Sequence, residues 1–178
     1  MFARHFIDSL DFALKRQELR GEAPVSEMPR LHDLLIFRDG AAAPEGQVRY
    51  VLRGLTGKDG KPLLELTLEG SCQLRCQRCL QAMPYAIKTV SLLMPMPENE
   101  LEGSLTEGGE LEEDEIDRIP ADPHLDVLGL IEDEILLGLP LSPRHELGVC
   151  DAAAESISAG KQDQKQNPFA VLRGLKDK

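Results

Sequence analysis

The chain has 178 residues, 20 Lys plus Arg against 31 Asp plus Glu, and a formal net charge of −11. That length suits one domain with a real core, and with two Tyr, five Phe and no Trp the core has to be aliphatic. Net acidity argues against a protein that coats nucleic acid by charge alone. The acidity is concentrated, however: residues 98–134 carry fifteen acidic side chains and one Arg, whereas residues 45–90 carry seven basic and four acidic ones.

The first residues, MFARHFIDSLDFALKRQ, lack the charged start and continuous apolar stretch of a secretion signal. No apolar run approaches the roughly 18–20 residues that span a bilayer. The expected compartment is the cytoplasm, where thiols stay reduced and four Cys read as metal ligands, catalytic groups or core residues before they read as disulfides. Asp8 or Ser9 can cap a first helix with Leu10, Phe12, Ala13, Leu14 and Leu19 as its apolar positions and Gly21 as its stop. A second short helix is expected from Ser26 as cap, with Pro29 in its first turn and Leu31, Leu34 and Leu35 on one face. Residues 39–46 read as a connector.

Val48, Tyr50 and Leu52 alternate with Arg49 and Arg53, the period of a half-buried strand. Lys58-Asp59-Gly60-Lys61 signals a turn, and Leu64, Leu66 and Leu68 then alternate with Glu65, Thr67 and Glu69, which completes a hairpin. A third strand is expected over Tyr85–Leu93, with Tyr85, Ile87 and Val90 packing inward and Pro95 and Pro97 ending it. Residues 98–114 read as a solvated acidic loop, followed by an edge strand at Glu115–Ile119. The strongest helix is Asp126–Leu139, with Val127, Leu130, Ile131, Glu134 and Ile135 at helical spacing and Gly138 and Pro140 as its stop. Its wide apolar surface implies packing on the sheet.

The expected architecture is α+β: a mostly antiparallel sheet packed by N-terminal helices and the Asp126–Leu139 helix. Residues 1–150 form the domain and residues 151–178 a flexible tail. That tail ends in Asn167-Pro168, a cap and first-turn pair, followed by Phe169, Val171, Leu172 and Leu175. Such a short helix either docks on its own domain or serves as a tethered ligand for another protein, with Phe169 and Leu172 as anchors.

Two pairs of soft or borderline ligands stand out. Cys76 and Cys79 form Cys-x-x-Cys in CQRCL, and far downstream His145 and Cys150 form His-x4-Cys after PLSP. Two turns that each supply two ligands are what a closed tetrahedral zinc site needs, and such a site is structural because it leaves no open coordination position. Cys72 is a rival fourth ligand, and idle buried thiols are the plain alternative. A redox reading of Cys-x-x-Cys is weaker, since it wants a strand-to-helix turn. No Gly-rich phosphate loop, Gly-x-Ser-x-Gly or His-Glu-x-x-His occurs. Glu132, Asp133 and Glu134 are adjacent on a helix, point different ways and read as a solvated face. No enzymatic activity and no small-molecule substrate are expected. Arg75 and Arg78, with Arg49 and Arg53, make a modest candidate patch for phosphate contacts, without the aromatic interleaving that stacks single-stranded RNA.

Taken together, CQRCL, LIEDEILLGLPLSPRHELGVC and NPFAVLRGLK resemble the bacterial YceD family, called large ribosomal RNA subunit accumulation protein; the likeness covers roughly residues 10–178. The resemblance implies a cytoplasmic, non-enzymatic factor needed for synthesis, processing or stability of 23S ribosomal RNA. It also implies that Cys76, Cys79 and Cys150 match the family's shared Cys positions, with Cys72 outside the pattern. Two mechanisms stay open. In one, the basic hairpin and Cys-x-x-Cys turn bind precursor ribosomal RNA. In the other, the acidic segment 98–117 and the Phe169 helix engage a large-subunit ribosomal protein or assembly factor. A small zinc-binding or thiol redox-responsive interaction module, unrelated to ribosomal RNA, is the alternative reading.

Overall fold

The computed structural model describes residues 4–36, 46–57, 60–104, 116–146 and 148–150. Most of the 39–46 connector, the first half of the Lys58–Lys61 turn, the acidic stretch after residue 104 and the tail with Phe169 and Leu172 lie outside the described residues. The chain divides into two compact units, Met1–Arg144 and His145–Lys178. The fold that follows belongs to the first.

Alternation of apolar and polar residues builds a five-stranded sheet in the order β2-β3-β4-β5-β6. Its strands are β2 (Glu18–Pro24), β3 (Gln47–Thr56), β4 (Pro62–Arg75), β5 (Ala82–Met96) and β6 (Ile116–Pro120). The first four pair antiparallel, and β6 adds in parallel to β5 as an edge strand. Val48, Tyr50 and Leu52 of β3 face Leu64, Leu66 and Leu68 of β4 in one buried layer. This is the expected α+β class and the expected hairpin. Gly60 takes the positive φ (75°) that its turn requires.

The first helix, α1, is shorter than its sequence suggests. Asp8 caps it by accepting the Asp11 N–H at 2.9 Å, and it spans only Ser9–Leu14 before Arg16 turns left-handed at φ 50°. Leu19 and Gly21 therefore belong to β2, not to the helix. Gly21 is no stop signal: it sits opposite Tyr50, and a Cβ there would lie 2.6 Å from the Tyr50 hydroxyl oxygen. Gly54 performs the same service for α1, since a Cβ would meet the Phe12 carbonyl oxygen at 2.3 Å. The helix backbone thus lies directly on β3.

Next come two 3-10 turns, Val25–Glu27 and Pro29–Leu34, in place of one helix capped by Ser26. Leu31 and Leu35 are buried as expected, while Leu34 is exposed. The third strand is longer than Tyr85–Leu93 and runs through Pro95 to Met96. Ile87 packs inward and Tyr85 lies against the core, but Val90 falls on the opposite parity and is 63% exposed. Residues 98–104 are not loop but a short helix, α2 (Glu98–Ser104).

A two-stranded ribbon, β1 (Phe6–Ile7) with β7 (Leu125–Asp126), leads into α3 (Val127–Gly138). Asp126 caps α3 by accepting the Leu128 N–H at 3.1 Å. Val127, Leu128, Leu130, Ile131 and Ile135 enter the core, and α3 packs on β5. Of its three consecutive acids only Asp133 is exposed, and the other two are not a solvated face. Glu132 is buried and accepts the Arg30 backbone N–H at 2.6 Å and the Arg30 Nε at 2.9 Å. Asp133 takes another Arg30 nitrogen, and Glu134 is buried against the Ser91 hydroxyl, which donates to it. Hydrogen bonding to Glu132 and then Asp133 raises the Arg30 pKa further. Arg30 thus straps the second 3-10 turn to α3.

Two stability outcomes follow from this packing. Ile131→Ala, at a fully buried position, is expected to lower the unfolding free energy by about 2–5 kcal/mol in urea titration; an unchanged midpoint would exclude α3 from the core. Arg30→Ala leaves the buried Glu132 carboxylate short of its cation and is expected to cost about 2–3 kcal/mol. A double-mutant cycle with Glu132→Gln reads the coupling, and additive effects would show that the strap contributes nothing.

Candidate metal centre

Strands β4 and β5 end in the register pair Arg75↔Ala82, and residues 76–81 close the hairpin. The Cys76 N–H donates to the Gln81 carbonyl at 3.0 Å, and the Leu80 N–H donates back to the Cys76 carbonyl at 2.9 Å. Leu80 adopts φ 61°, a left-handed conformation that costs a non-glycine residue about 1–2 kcal/mol. The turn that results carries both sulfurs, with Cys76 buried and Cys79 partly so.

The chain leaving α3 is brought to this turn by hydrogen bonds within the first unit. The Tyr85 hydroxyl donates to the Gly138 carbonyl at 2.9 Å and fixes the end of α3 on β5. After Pro140, the Gln77 N–H donates to the Pro143 carbonyl at 2.9 Å, and the Gln77 side chain exchanges hydrogen bonds with Leu141 O and Ser142 Oγ at 3.3 and 3.0 Å. Gln77 and Tyr85 were not legible as site residues. The signal for Gln77 was its place between the two Cys, but nothing in the spacing shows that an intervening residue will anchor a distant loop.

The second unit contributes its own pair: Cys150 Sγ and His145 Nδ1 lie 3.5 Å apart. The ligand atoms of Cys76, Cys79, His145 and Cys150 all lie within 4.8 Å of one another. The structure thus holds a Cys3His cluster able to take a metal ion, from the four residues singled out by spacing. Its donor chemistry fits zinc. With bonds of about 2.3 Å to sulfur and 2.0–2.1 Å to nitrogen, a tetrahedral edge is about 3.6 Å, close to the Cys150–His145 separation. Three thiolates and an imidazole are soft to borderline donors, unsuited to magnesium or calcium.

Cys72, the rival ligand, is not in the cluster. It sits in β4 on the buried side, and desolvation pushes its thiol up to about 11. All four cysteines are thiols. The Cys-x-x-Cys lies on a strand-to-strand turn rather than ahead of a helix, so no helix N-terminus follows it to lower a thiol pKa.

The arginines separate into two groups. Arg49 and Arg53 sit higher on the outward face of the sheet in cross-strand ion pairs: Arg53 with Glu18 and Glu65 at 2.8 and 3.3 Å, Arg49 with Glu69 at 3.4 Å. Arg20 and then Arg53 hold the Glu18 carboxyl at about 2. These pairs balance charge along two rows, Glu18–Arg53–Glu65 and Glu22–Arg49–Glu69–Lys88. Arg75 and Arg78 are exposed at the turn itself. Among the described residues no helix is long and apolar enough to cross a membrane.

Comparison with known proteins agrees with the motif blocks. A family model described as Large ribosomal RNA subunit accumulation protein YceD matches residues 64–176. A Haemophilus influenzae protein named Large ribosomal RNA subunit accumulation protein YceD is 33% identical over 177 residues, covering 97% of this chain and 95% of that protein. No solved structure matches. The matched region takes in β4, the Cys-x-x-Cys turn, α3 and the His145–Cys150 pair, and on that basis the chain belongs to the YceD family.

Proposed function

We propose that this protein is a cytoplasmic, non-enzymatic factor supporting the synthesis, processing or stability of 23S ribosomal RNA, and that its Cys3His cluster binds one structural zinc ion. Family membership supports a role in accumulation of the large-subunit RNA. The convergence of four ligand atoms within 4.8 Å is the observation that carries the zinc reading. Four protein ligands close the coordination shell, so the ion contributes folding free energy rather than chemistry. Cys76, Cys79 and Cys150 would bind as thiolates and His145 through Nδ1. Partners are ribosome-related: precursor 23S ribosomal RNA, a large-subunit ribosomal protein or an assembly factor. Arg75 and Arg78 flank the cluster, and residues 151–178 would act as an arm with Phe169 and Leu172 as its apolar anchors.

Elemental analysis of protein purified without added metal is expected to find about one zinc per chain, and chelation is expected to lower the melting temperature. Cys79→Ser should lose most of that zinc, while Cys72→Ala should retain it because Cys72 lies in the core. Absence of zinc from the wild type, or loss of it in Cys72→Ala alone, would overturn the metal assignment. For the cellular role, deleting the gene is expected to lower 23S relative to 16S ribosomal RNA, with restoration by the wild-type chain.

A further inference from the structure

We propose that Cys79 is an oxidation site: its sulfur takes an oxygen from a hydroperoxide, Cys76 resolves the product as a disulfide, and the Cys3His cluster gives up its metal ion. The inference rests on the zinc reading above and adds the class of reagent that would empty that site and the sulfur it would meet first.

The observation behind it is the unequal access of the three clustered sulfurs. Cys76 and Cys150 are buried, at 0% and 3% exposure, whereas Cys79 is partly exposed. Four protein ligands leave an incoming molecule no open position on the metal. A reagent that reaches the cluster therefore meets sulfur, and Cys79 is the sulfur it can reach. Cys76 is the neighbour best placed to finish the reaction. The bond from the Leu80 N–H to the Cys76 carbonyl, with that from the Cys76 N–H to Gln81, keeps both cysteines on one closed turn. Their ligand atoms lie within 4.8 Å, against about 2.05 Å for a disulfide bond. Rotation of the two side chains within the turn closes that gap, while the register pair Arg75↔Ala82 holds the strands beneath it.

The missing helix N-terminus does not weaken this chemistry, because a cysteine that serves as a metal ligand is already a thiolate, the form that acts as nucleophile. With hydrogen peroxide, the Cys79 sulfur attacks one oxygen and the O–O bond breaks. Hydroxide leaves and is protonated to water, and Cys79 is left as a sulfenic acid. The Cys76 thiolate then attacks that sulfur. The S–S bond forms, the S–O bond breaks, and a second hydroxide leaves to become water. Two electrons pass from the sulfur pair to the peroxide, and two protons are consumed. Neither sulfur is then a thiolate donor, so the site keeps only His145 and Cys150 of its four ligands and releases the ion. Cys72 stays out of the exchange. It lies in the core on β4, and burial pushes its thiol up to about 11, which keeps it protonated.

The test uses the full chain, reduced and loaded as purified, with hydrogen peroxide as the probe. Zinc release is read with a coloured chelator, and the cysteines are mapped by alkylation in denaturant and mass spectrometry. Peroxide is expected to lower zinc from about one per chain to under about a tenth, with about one disulfide formed for each ion released. Fragments should join Cys76 to Cys79 and leave Cys72 and Cys150 open to alkylation, and excess dithiol should restore zinc binding. Cys79→His presents a Cys2His2 set that still suits zinc, and it should keep its ion at a dose of peroxide that empties the wild type. Cys72→Ala should respond as the wild type does. Three results would each overturn the proposal: zinc retained under peroxide, a disulfide through Cys72 or Cys150, or release through sulfinic acid without a disulfide. The wild-type map decides among them whether or not Cys79→His loads. A reduced chain without zinc would reject the underlying metal reading, whereas a loaded chain that peroxide leaves unchanged would reject only the oxidation site.

Discussion

The hydrogen bond from the Gln77 amide to the Pro143 carbonyl, 2.9 Å long, decides where the chain goes after its principal helix. It has support on both sides. Below it, twelve registered residue pairs hold β4 to β5 and so hold the turn that presents Gln77. Beside it, Tyr85 latches the end of α3 to β5, and Pro140 prevents the helix from continuing past its stop. With both elements fixed, the short run 141–143 has little freedom left, and three polar contacts tie it to one glutamine. His145 follows two residues later.

The placement of charge divides this acidic chain into regions with different physics. On the outward face of the sheet, opposite charges sit on neighbouring strands, where each pair is worth at most a few tenths of a kcal/mol to about 1; their main effect is to leave that face without a net field. In α3 two of the three carboxylates turn inward. Glu132 and Glu134 have no solvent to stabilise them and depend on Arg30 and Ser91, so these acids fix how α3 sits against its neighbours.

Conformational strain reaches the Cys-x-x-Cys turn as well as the end of α1. Of the two non-glycine residues with positive φ among those described, Arg16 ends α1 and Leu80 completes the Cys-x-x-Cys turn. A left-handed Leu at the end of the turn that carries both sulfurs is a conformation that local preference disfavours. A tetrahedral ion, once bound, would supply the free energy that holds such a turn.

Strand identity was written in the local pattern. Alternation through Val48–Leu52 and Leu64–Leu68 needs no partner to be read, because one buried face imposes a period of two. The Asp126 cap, the apolar stripe of α3 and its Gly138–Pro140 stop are likewise contained within fifteen residues of sequence. The ligand residues themselves could be picked out by type and spacing. What the amino-acid order did not contain was the environment of each residue. Leu19 and Gly21 fitted a helix until pairing with β3 made Gly21 a notch for Tyr50. Val90 looked like core until its register in β5 turned it outward. Glu132 looked solvated until Arg30, 102 residues away, enclosed it. Convergence of the two ligand pairs belongs to the same class. Periodicity, caps and turn chemistry act over a few residues and survive in one dimension. Burial, ion pairing and coordination depend on which distant segments meet, and that is settled only when the sheet closes its register and the helix packs upon it.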